Sequence, residues 1–595
     1  MQEKEFKERL ENAKREENRL KTLNNRLTNR RLLVFLVGVI LAGFFFYRKN
    51  STTAICITAV FIMIFTLIMV WHNGVKKSLK RCQTLIGIYE DFLKRINGEW
   101  TEFPDTGTEF LSQDHPYVAD LNIFGPKSLF QLLNLTHTFN GSHRLAELLG
   151  NPDMNHENIL KRQDAIKELS GKLDFIEELT LRGFLNKKNA KDPKRFFNAM
   201  NRSERVPGIL KNPILLFGLP LLTILSALLA GRTLPGLYIT LLSGIILQLL
   251  LFAWSYKAIS PHLGVVYEYK NELETYQKLI ELIEKEPFNS ALLKDLSGKL
   301  MGKNHRASKE IKRLTNISDF IDFKHSPLIY FILNALFLWD LHLYRFLEKW
   351  KNDNGKMISQ WLDALGELEA LISLSVMPMI TSVTTYPEFT LGNPEFSAKD
   401  LSHPYIPHEK RVANGVTLNG VGIITGSNMS GKTTLLRTVG INLVLAYAGA
   451  PVCAIAMSTG LMGLYTSMRN NDDLSEGIST FYAELLRIKK IVDYSKKEKN
   501  MIFLIDEIFK GTNSKDRIEG AKIILRGLNK PWAIGLISTH DYELCDLEGE
   551  DTMRFSNHHF TESYSNNQIH FDYKLHSGRC KTSNARYLMK MVGLE

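Results

Sequence analysis

The sequence predicts an α/β parallel-sheet domain at the C-terminal end of a largely helical chain that also carries two apolar helical hairpins. Three observations predict it. Residues 426–433, Gly-Ser-Asn-Met-Ser-Gly-Lys-Thr, follow the apolar run 421–425 and precede a helix-like segment at 433–445. Residues 501–505 form a second continuous apolar run, which ends in Asp506-Glu507. Residues 32–71 and 213–254 are apolar stretches, each broken near its middle by a short basic turn.

The glycine-rich segment has the form of a phosphate-binding loop in its proper setting, strand before and helix after. Gly426 and Gly431 let the backbone wrap closely round an anion. The N–H groups of Ser427, Asn428, Met429, Ser430 and Thr434, with the helix N-terminus, then point at it. Lys432 can reach the outer phosphate oxygens, and the Thr433 hydroxyl can hold Mg²⁺. The cofactors expected are therefore ATP and Mg²⁺.

The run 501–505 is apolar throughout, as a central parallel strand covered on both faces must be. Its terminal carboxylates fall where open α/β sheets bind ligands. Asp506 is expected to hold the metal and Glu507 to polarise the attacking water. A third buried strand, 533–538, leads into Thr539-His540, where a polar side chain can sense the terminal phosphate. The chemistry expected is Mg-dependent ATP hydrolysis, with Glu507, Lys432 and His540 as its catalytic groups.

Between loop and carboxylates lies Asp472-Asp473-Leu474-Ser475-Glu476-Gly477-Ile478-Ser479-Thr480-Phe481. Taken alone it is a Ser/Thr cap of a helix over 481–492. The order of phosphate loop, Asp-Asp-Leu-x-x-Gly-x-Ser-Thr-Phe, Asp-Glu-Ile-x-x-Gly-Thr and Ser-Thr-His resembles the ATPase domain of the MutS family of DNA mismatch-repair proteins. Asn428-Met429, Gly511-Thr512-Asn513-Ser514, and Ala446-Tyr447-Ala448-Gly449 with Pro451 are similar to the same family. The resemblance implies an α/β P-loop NTPase domain of the ABC type attached to an all-α core and lever region. It also implies that Gly477 and Ser479 face the nucleotide of an opposite subunit, and hence a homodimer with composite sites. DNA is the partner it implies.

Weaker similarity extends upstream. Residues 120–134, 138–142 and 162–166 resemble the start of the MutS core, and 361–374 resembles the lever helix entering the ATPase. His403-Pro404 and Asn414 resemble the strand and adenine-side loop before the phosphate loop. Val412 stands where the family often has an aromatic, so the adenine side is represented by Val412 and Asn414. Only 117 residues precede the core, so a member lacking the mismatch-reading and connector domains is expected. Four short Phe-x-Glu matches, at Phe6, Phe175, Phe346 and Phe560, fall in helical or ATPase segments, and none is assigned as a mismatch wedge.

Residues 32–47 carry no charge over sixteen positions and 51–71 none over twenty-one, with Arg48-Lys49-Asn50 between them. That pattern is a transmembrane hairpin. A second pair, 213–230 and 234–254, turns at Gly231-Arg232-Thr233. Basic residues outside each hairpin (Arg30, Arg31, Lys76, Lys77, Lys80 and Arg81 for the first) outnumber those in its turn. Both hairpins are therefore expected to dip in from the cytoplasm, leaving the ATPase and both termini inside. The apolar run 328–343, interrupted by Asn334, Asp340 and His342, is expected to be a core helix.

Composition fits this layout. The 595 residues leave room for several domains. Five scattered cysteines suit a reducing compartment, and no disulfide or zinc site is proposed. A net charge of +11 and a pI near 9.1 suit either DNA or anionic lipid. The expected organisation is a charged lead (1–31), hairpin one (32–71), a helical link (72–117), a helical MutS-like core (118–205), hairpin two (206–257), a helical core and lever (258–395) and the ATPase (396–595). The expected function is a membrane-anchored MutS-family ATPase that couples ATP-driven dimer closure to DNA binding, in repair or recombination. Two other readings compete: a transport ATPase, which the absence of a Leu-Ser-Gly-Gly-Gln stretch disfavours, and a nucleotide-switched membrane scaffold that does not bind DNA.

Overall fold

The computed structural model describes residues 2–186, 191–201, 212, 214–229, 235–302, 306–427, 429–468, 480–509, 514–550, 553–565 and 568–580. In chain order, the elements used below are α1 (Gln2–Tyr47), α2 (Ser51–Asn97), α3 (Ile214–Leu229, opening with a π turn), α4 (Pro235–Glu268), α5 (Pro327–Phe337), α6 (Trp339–Asn354) and α7 (Ile358–Leu374). Then follow β1 (Glu388–Thr390), β2 (Phe396–Leu401), β3 (Asn414–Leu418), β4 (Val421–Thr425), α8 (Lys432–Ala448), β5 (Ala456–Gly460) and β6 (Gly463–Ser467). The last are α9 (Thr480–Ser495), β7 (Met501–Asp506), α10 (Ser514–Leu528), β8 (Ala533–Thr539), β9 (Phe555–Ser565) and β10 (Gln568–Ser577). The chain divides into two compact units. One joins Met1–Asn134, Ala146–Ser170 and Leu374–Glu595; the other joins Leu135–Leu145 and Gly171–Ser373.

The first unit is built on a six-stranded sheet of order β10-β9-β4-β8-β7-β6, parallel except for β10. Every residue of β4, β7 and β8 is buried, which is why these strands are apolar without alternation. Ile488 and Ile491 of α9 and Leu525 and Leu528 of α10 pack with Val421, Phe503 and Ile537 in one core. Gly440 lets α8 lie close to the sheet: a Cβ there would stand 2.7 Å from Leu121 and 3.1 Å from Leu504. A smaller sheet of order β1-β5-β2-β3 completes the domain.

The same unit carries α1 and α2, two antiparallel helices turning at Lys49 (φ 58°), with the Asn50 side chain capping α2 through Thr53 N at 3.3 Å. Helix α1 runs unbroken from a charged half into an apolar one, and α2 from an apolar half into a charged one. Far from the turn, Phe6 stacks on Phe92 at 4.6 Å. Arg95, buried at the end of α2, donates to the carbonyls of Leu132 (2.9 Å) and Asn134 (3.1 Å) and lies over Phe103, fixing the hairpin's base. Where the charged and apolar halves of the two helices meet, His72 is buried between Arg31 (3.0 Å) and Asn24 (2.9 Å). Beyond it, Leu33, Ile40, Phe46, Ile62 and Leu67 are exposed.

The second unit is helical. Trp361, Leu365, Leu368 and Leu371 of α7 are buried, and the buried Glu369 accepts from His137 N at 2.8 Å and from the Thr138 hydroxyl. That contact joins the segment 138–142 to the lever-like helix. Helices α3 and α4 form an apolar pair tied by Gln248 Nε2 to Thr223 Oγ1 (2.8 Å) and Thr240 to Ser226 (3.0 Å). Among the described residues, three helices (Glu3–Tyr47, Ser51–Asn97 and Gly236–Glu268) are long and apolar enough to cross a membrane by length and composition, while Ile214–Leu229 is shorter.

The run 328–343 is not one core helix. It is α5 and α6, bent by 78° at Leu338, whose φ of 51° breaks the helical path. The polar residues suggestive of a core position make the bend instead: Asn334 Oδ1 accepts from Asp340 N at 3.1 Å, and the Tyr330 hydroxyl donates to Asp340. Leu328, Ile329, Phe331 and Ile332 of α5 are exposed.

Candidate active site

Sheet register assembles the site. Thr425 lies beside Thr539 and Asp506 beside Ser538, so β4, β7 and β8 end level with one another. The loops leaving those ends carry the phosphate loop, Glu507 and His540 to one edge.

Residues 426–431 turn the chain from β4 into α8. Gly431 at φ 108° occupies backbone space that favours glycine, and α8 starts on it without a side-chain cap. The first backbone N–H groups of α8 are therefore available to an anion. Lys432 Nζ folds back on its own loop, donating to the carbonyls of Gly426 (2.8 Å) and Ser427 (2.9 Å). Ser427 Oγ donates to Glu562 of β9, while Ser430 is buried and Met429 (φ 69°) is exposed.

Thr433 Oγ1 donates to Asp506 Oδ2 at 2.9 Å, and Ser538 Oγ donates to Asp506 Oδ1. Glu507 follows at φ 60°, with its N–H on Ser538 O at 3.0 Å, and its Oε1 lies 3.1 Å from His540 Nε2. That nitrogen is also 3.3 Å from Lys432 Nζ. With the proton on Nε2, His540 donates to Glu507, while the Lys432 ammonium donates to the two carbonyls. The loop after His540 is held by a two-bond contact from Arg517 to Asp541 (2.8 and 2.6 Å). Glu484 of α9 accepts from Phe509 N and fixes the turn after the carboxylates.

A pocket of about 350 Å³ opens beside the start of α8, lined by Ile406, Val412, Thr434, Leu435, Phe560 and Tyr573 among others. Val412 and Asn414 both line it, but the Asn414 amide is engaged with β10, donating to Tyr573 O (3.0 Å) and accepting from Leu575 N (2.8 Å). The β10 register shifts between Phe571 and Leu575, and Tyr573 sits in that bulge at φ 55°. A Cβ on Gly431 would lie 3.4 Å from its ring. His403, also on the pocket wall, is held neutral: burial, then Arg437 and Arg411, push it down to about 3. Its Nδ1 accepts from Tyr405 N at 3.2 Å, which leaves the proton on Nε2.

The residues present fit a triphosphate and a hard cation. Among the described residues no group of three or more His, Cys, Asp or Glu could hold a metal ion. The Thr433–Asp506 pair instead offers one hydroxyl and one carboxylate, the sparse oxygen set that suits Mg²⁺ completed by phosphate and water. The pocket offers Tyr573 and Phe560 to a planar base.

The structure thus brings Lys432, Thr433, Asp506, Glu507 and His540 together, with Gly426, Ser427, Met429, Ser430, Gly431 and Thr434 on the loop and the first turn of α8. Asn428, Gly477, Ser479 and residues 511–513 lie outside the described residues. Sequence reasoning missed Glu562, Arg517, Phe560 and Tyr573. Only the aromatic spacing of residues 560, 571 and 573 hinted at the last two.

Residues 422–594 match MutS domain V. The DNA mismatch repair protein MutS of Halothermothrix orenii is 31% identical over 176 residues, 29% of this chain and 19% of that protein. The MutS of Aquifex pyrophilus is 29% identical over 198 residues (33% and 22%). That of Carboxydothermus hydrogenoformans is 31% identical over 241 residues (39% and 28%). The matched part spans less than a third of the length of each of these relatives. The phosphate loop and the strands β7 to β10 fall inside the matched region, so the C-terminal part of the chain carries a domain similar to MutS domain V.

Proposed function

We propose that the chain is a membrane-anchored MutS-family ATPase in which Mg-dependent ATP binding and hydrolysis drive closure of a homodimer and its binding to DNA, in repair or recombination. The observation that carries this reading is the meeting of Lys432, Thr433, Asp506, Glu507 and His540 at one sheet edge within a MutS domain V.

When bound, Mg-ATP supplies the electrophilic terminal phosphate and the cation that neutralises its oxygens. Lys432 and the first turn of α8 bind the anion. Thr433 and Asp506 orient the cation, with Ser538 holding the carboxylate in place. Glu507 takes a proton from the attacking water on its carboxylate, and His540 holds that carboxylate through Nε2. Ser479 completes the partner subunit's site.

Membrane anchoring is supported by the exposed apolar halves of α1, α2 and α4, and the cytoplasmic placement of the ATPase by the excess of basic residues outside the turns. DNA binding is supported by the relatives' description as DNA mismatch repair proteins and by the net charge of +11. The test is electrophoretic retention of perfect, mismatched and branched duplexes by the detergent-solubilised chain, with and without ATP. ATP-sensitive retention of at least one duplex is expected. No retention at low salt would contradict the DNA part of this reading.

A further inference from the structure

We infer that α5 is a membrane-interfacial helix, with its apolar face in the acyl region of the cytoplasmic leaflet beside α3 and α4. This rests on the membrane reading above and extends it to the first helix of a bent apolar pair, Pro327–Phe337 with Trp339–Asn354. Helix α5 has eleven residues and no charge, giving about 16 Å at 1.5 Å per residue. That is too short to cross a hydrocarbon core of about 30 Å. Yet Leu328 is 74% and Phe331 54% exposed, with Ile329, Ile332 and Phe337 also open. So much apolar surface on one short helix demands a cover.

Its neighbours show what the cover is. Helix α5 packs along α4, with Tyr330 edge-on to Phe252 at 5.7 Å. The exposed face of α5 therefore continues the exposed apolar face of α4, where Leu242, Ile246 and Leu250 are open. Polar and aromatic groups bracket α5 as they bracket a bilayer boundary. Lys324, just before it, lies 5.9 Å from the rings of both Tyr256 and Tyr330. Trp339, just after it, stands edge-on to Phe320 (5.5 Å) and Phe323 (6.2 Å). Arg345 lies over Phe217 at the start of α3 (5.7 Å). Cations and amphipathic rings at both ends of an apolar face suit the headgroup zone of an anionic leaflet. The bend at Leu338, locked by Asn334 and Asp340, turns the chain out of that zone into α6.

The inference is tested with the chain in vesicles of phosphatidylcholine and phosphatidylglycerol with brominated acyl chains. Cys56 and Cys580 are replaced by serine, and a fluorophore is attached at Phe331→Cys, Leu250→Cys or Lys349→Cys in turn. Lipid quenching at position 331 within about twofold of that at 250, with 349 quenched only by aqueous iodide, is the expected result. Strong lipid quenching at 250 with none at 331 would overturn the interfacial helix while leaving the hairpin intact. Shielding of 331 from both lipid and iodide would overturn it in favour of a second copy or another protein. Absence of lipid quenching at both 250 and 331 would remove the membrane reading on which it stands.

Discussion

Thr433 Oγ1 donates a hydrogen bond to Asp506 Oδ2 at 2.9 Å, joining the first turn of α8 to the last residue of β7. The two residues lie 73 positions apart, and only the parallel pairing of β7 with β8 and of β8 with β4 brings them together. Both oxygens are hard donors, and Ser538 steadies the carboxylate from its other side. Asp506→Asn keeps the size and removes the charge. It should lower Mg-dependent phosphate release by about 100-fold, the several kcal/mol a bound cation contributes. Nucleotide binding in EDTA should be little changed. Phosphate release at increasing Mg²⁺ checks this, and an unaltered metal dependence would contradict the assignment.

Lys432 now rests on two carbonyls of its own loop, so its charge is held where an incoming phosphate can claim it. Lys432→Met should weaken ATP binding by about 10- to 100-fold, the worth of one charge-assisted hydrogen bond. Thermal shift gives the readout: ATP should stabilise the parent through binding to the folded state and should fail to stabilise the variant.

Tyr573 presents its ring from the β10 bulge at the mouth of the pocket beside Gly431. Removal of the ring in Tyr573→Ala should weaken ATP binding by about 10-fold, as loss of one stacked aromatic does. Tyr573→Phe should bind within about twofold of the parent. Equal losses in both variants would assign the role to the hydroxyl instead.

His403 ties stability to pH. Burial lowers it from 6.5 to about 3. Between those values the unfolded chain binds more protons than the folded one, so stability rises with pH across the window. The contribution is fully present above about pH 6.5 and is lost as pH falls toward about 3, at up to about 1.4 kcal/mol per unit. His403→Gln should flatten the fall in melting temperature between pH 6 and 4.5. A slope matching the parent's would show that the imidazole is not held neutral.

Much of the domain V site was legible in local sequence because strands buried on both faces must be apolar throughout. Val421, Ile423 and Ile424, then Ile502 to Ile505, advertise such strands, and Asp506 and His540 mark their ends. The rest depends on contacts without a local signature. Strand β9 mixes Phe555 and Phe560 with Ser556, Asn557 and His558, so its apolar pattern is broken, although Asn557 is buried and bonded to Cys545 O. Asn414 spends its amide on β10, some 160 residues away, and Ser427 meets Glu562 in the same long-range fashion. The junction at 31/32 is invisible in the fold because α1 continues through it. Only its surroundings are expected to change there, from water to lipid. The bend at 338 was unreadable because a leucine, not a glycine or proline, takes the left-handed conformation.

Phosphate release from Mg-ATP by the chain and its Glu507→Gln variant, measured beside ATP binding by each, tests the role of this carboxylate most directly. The amide keeps the shape of the contact to His540 and removes the base. Release should fall by about 100- to 10,000-fold while ATP stays bound. Turnover in the variant equal to the parent's, or no turnover in either, would contradict a domain V that hydrolyses ATP through this carboxylate.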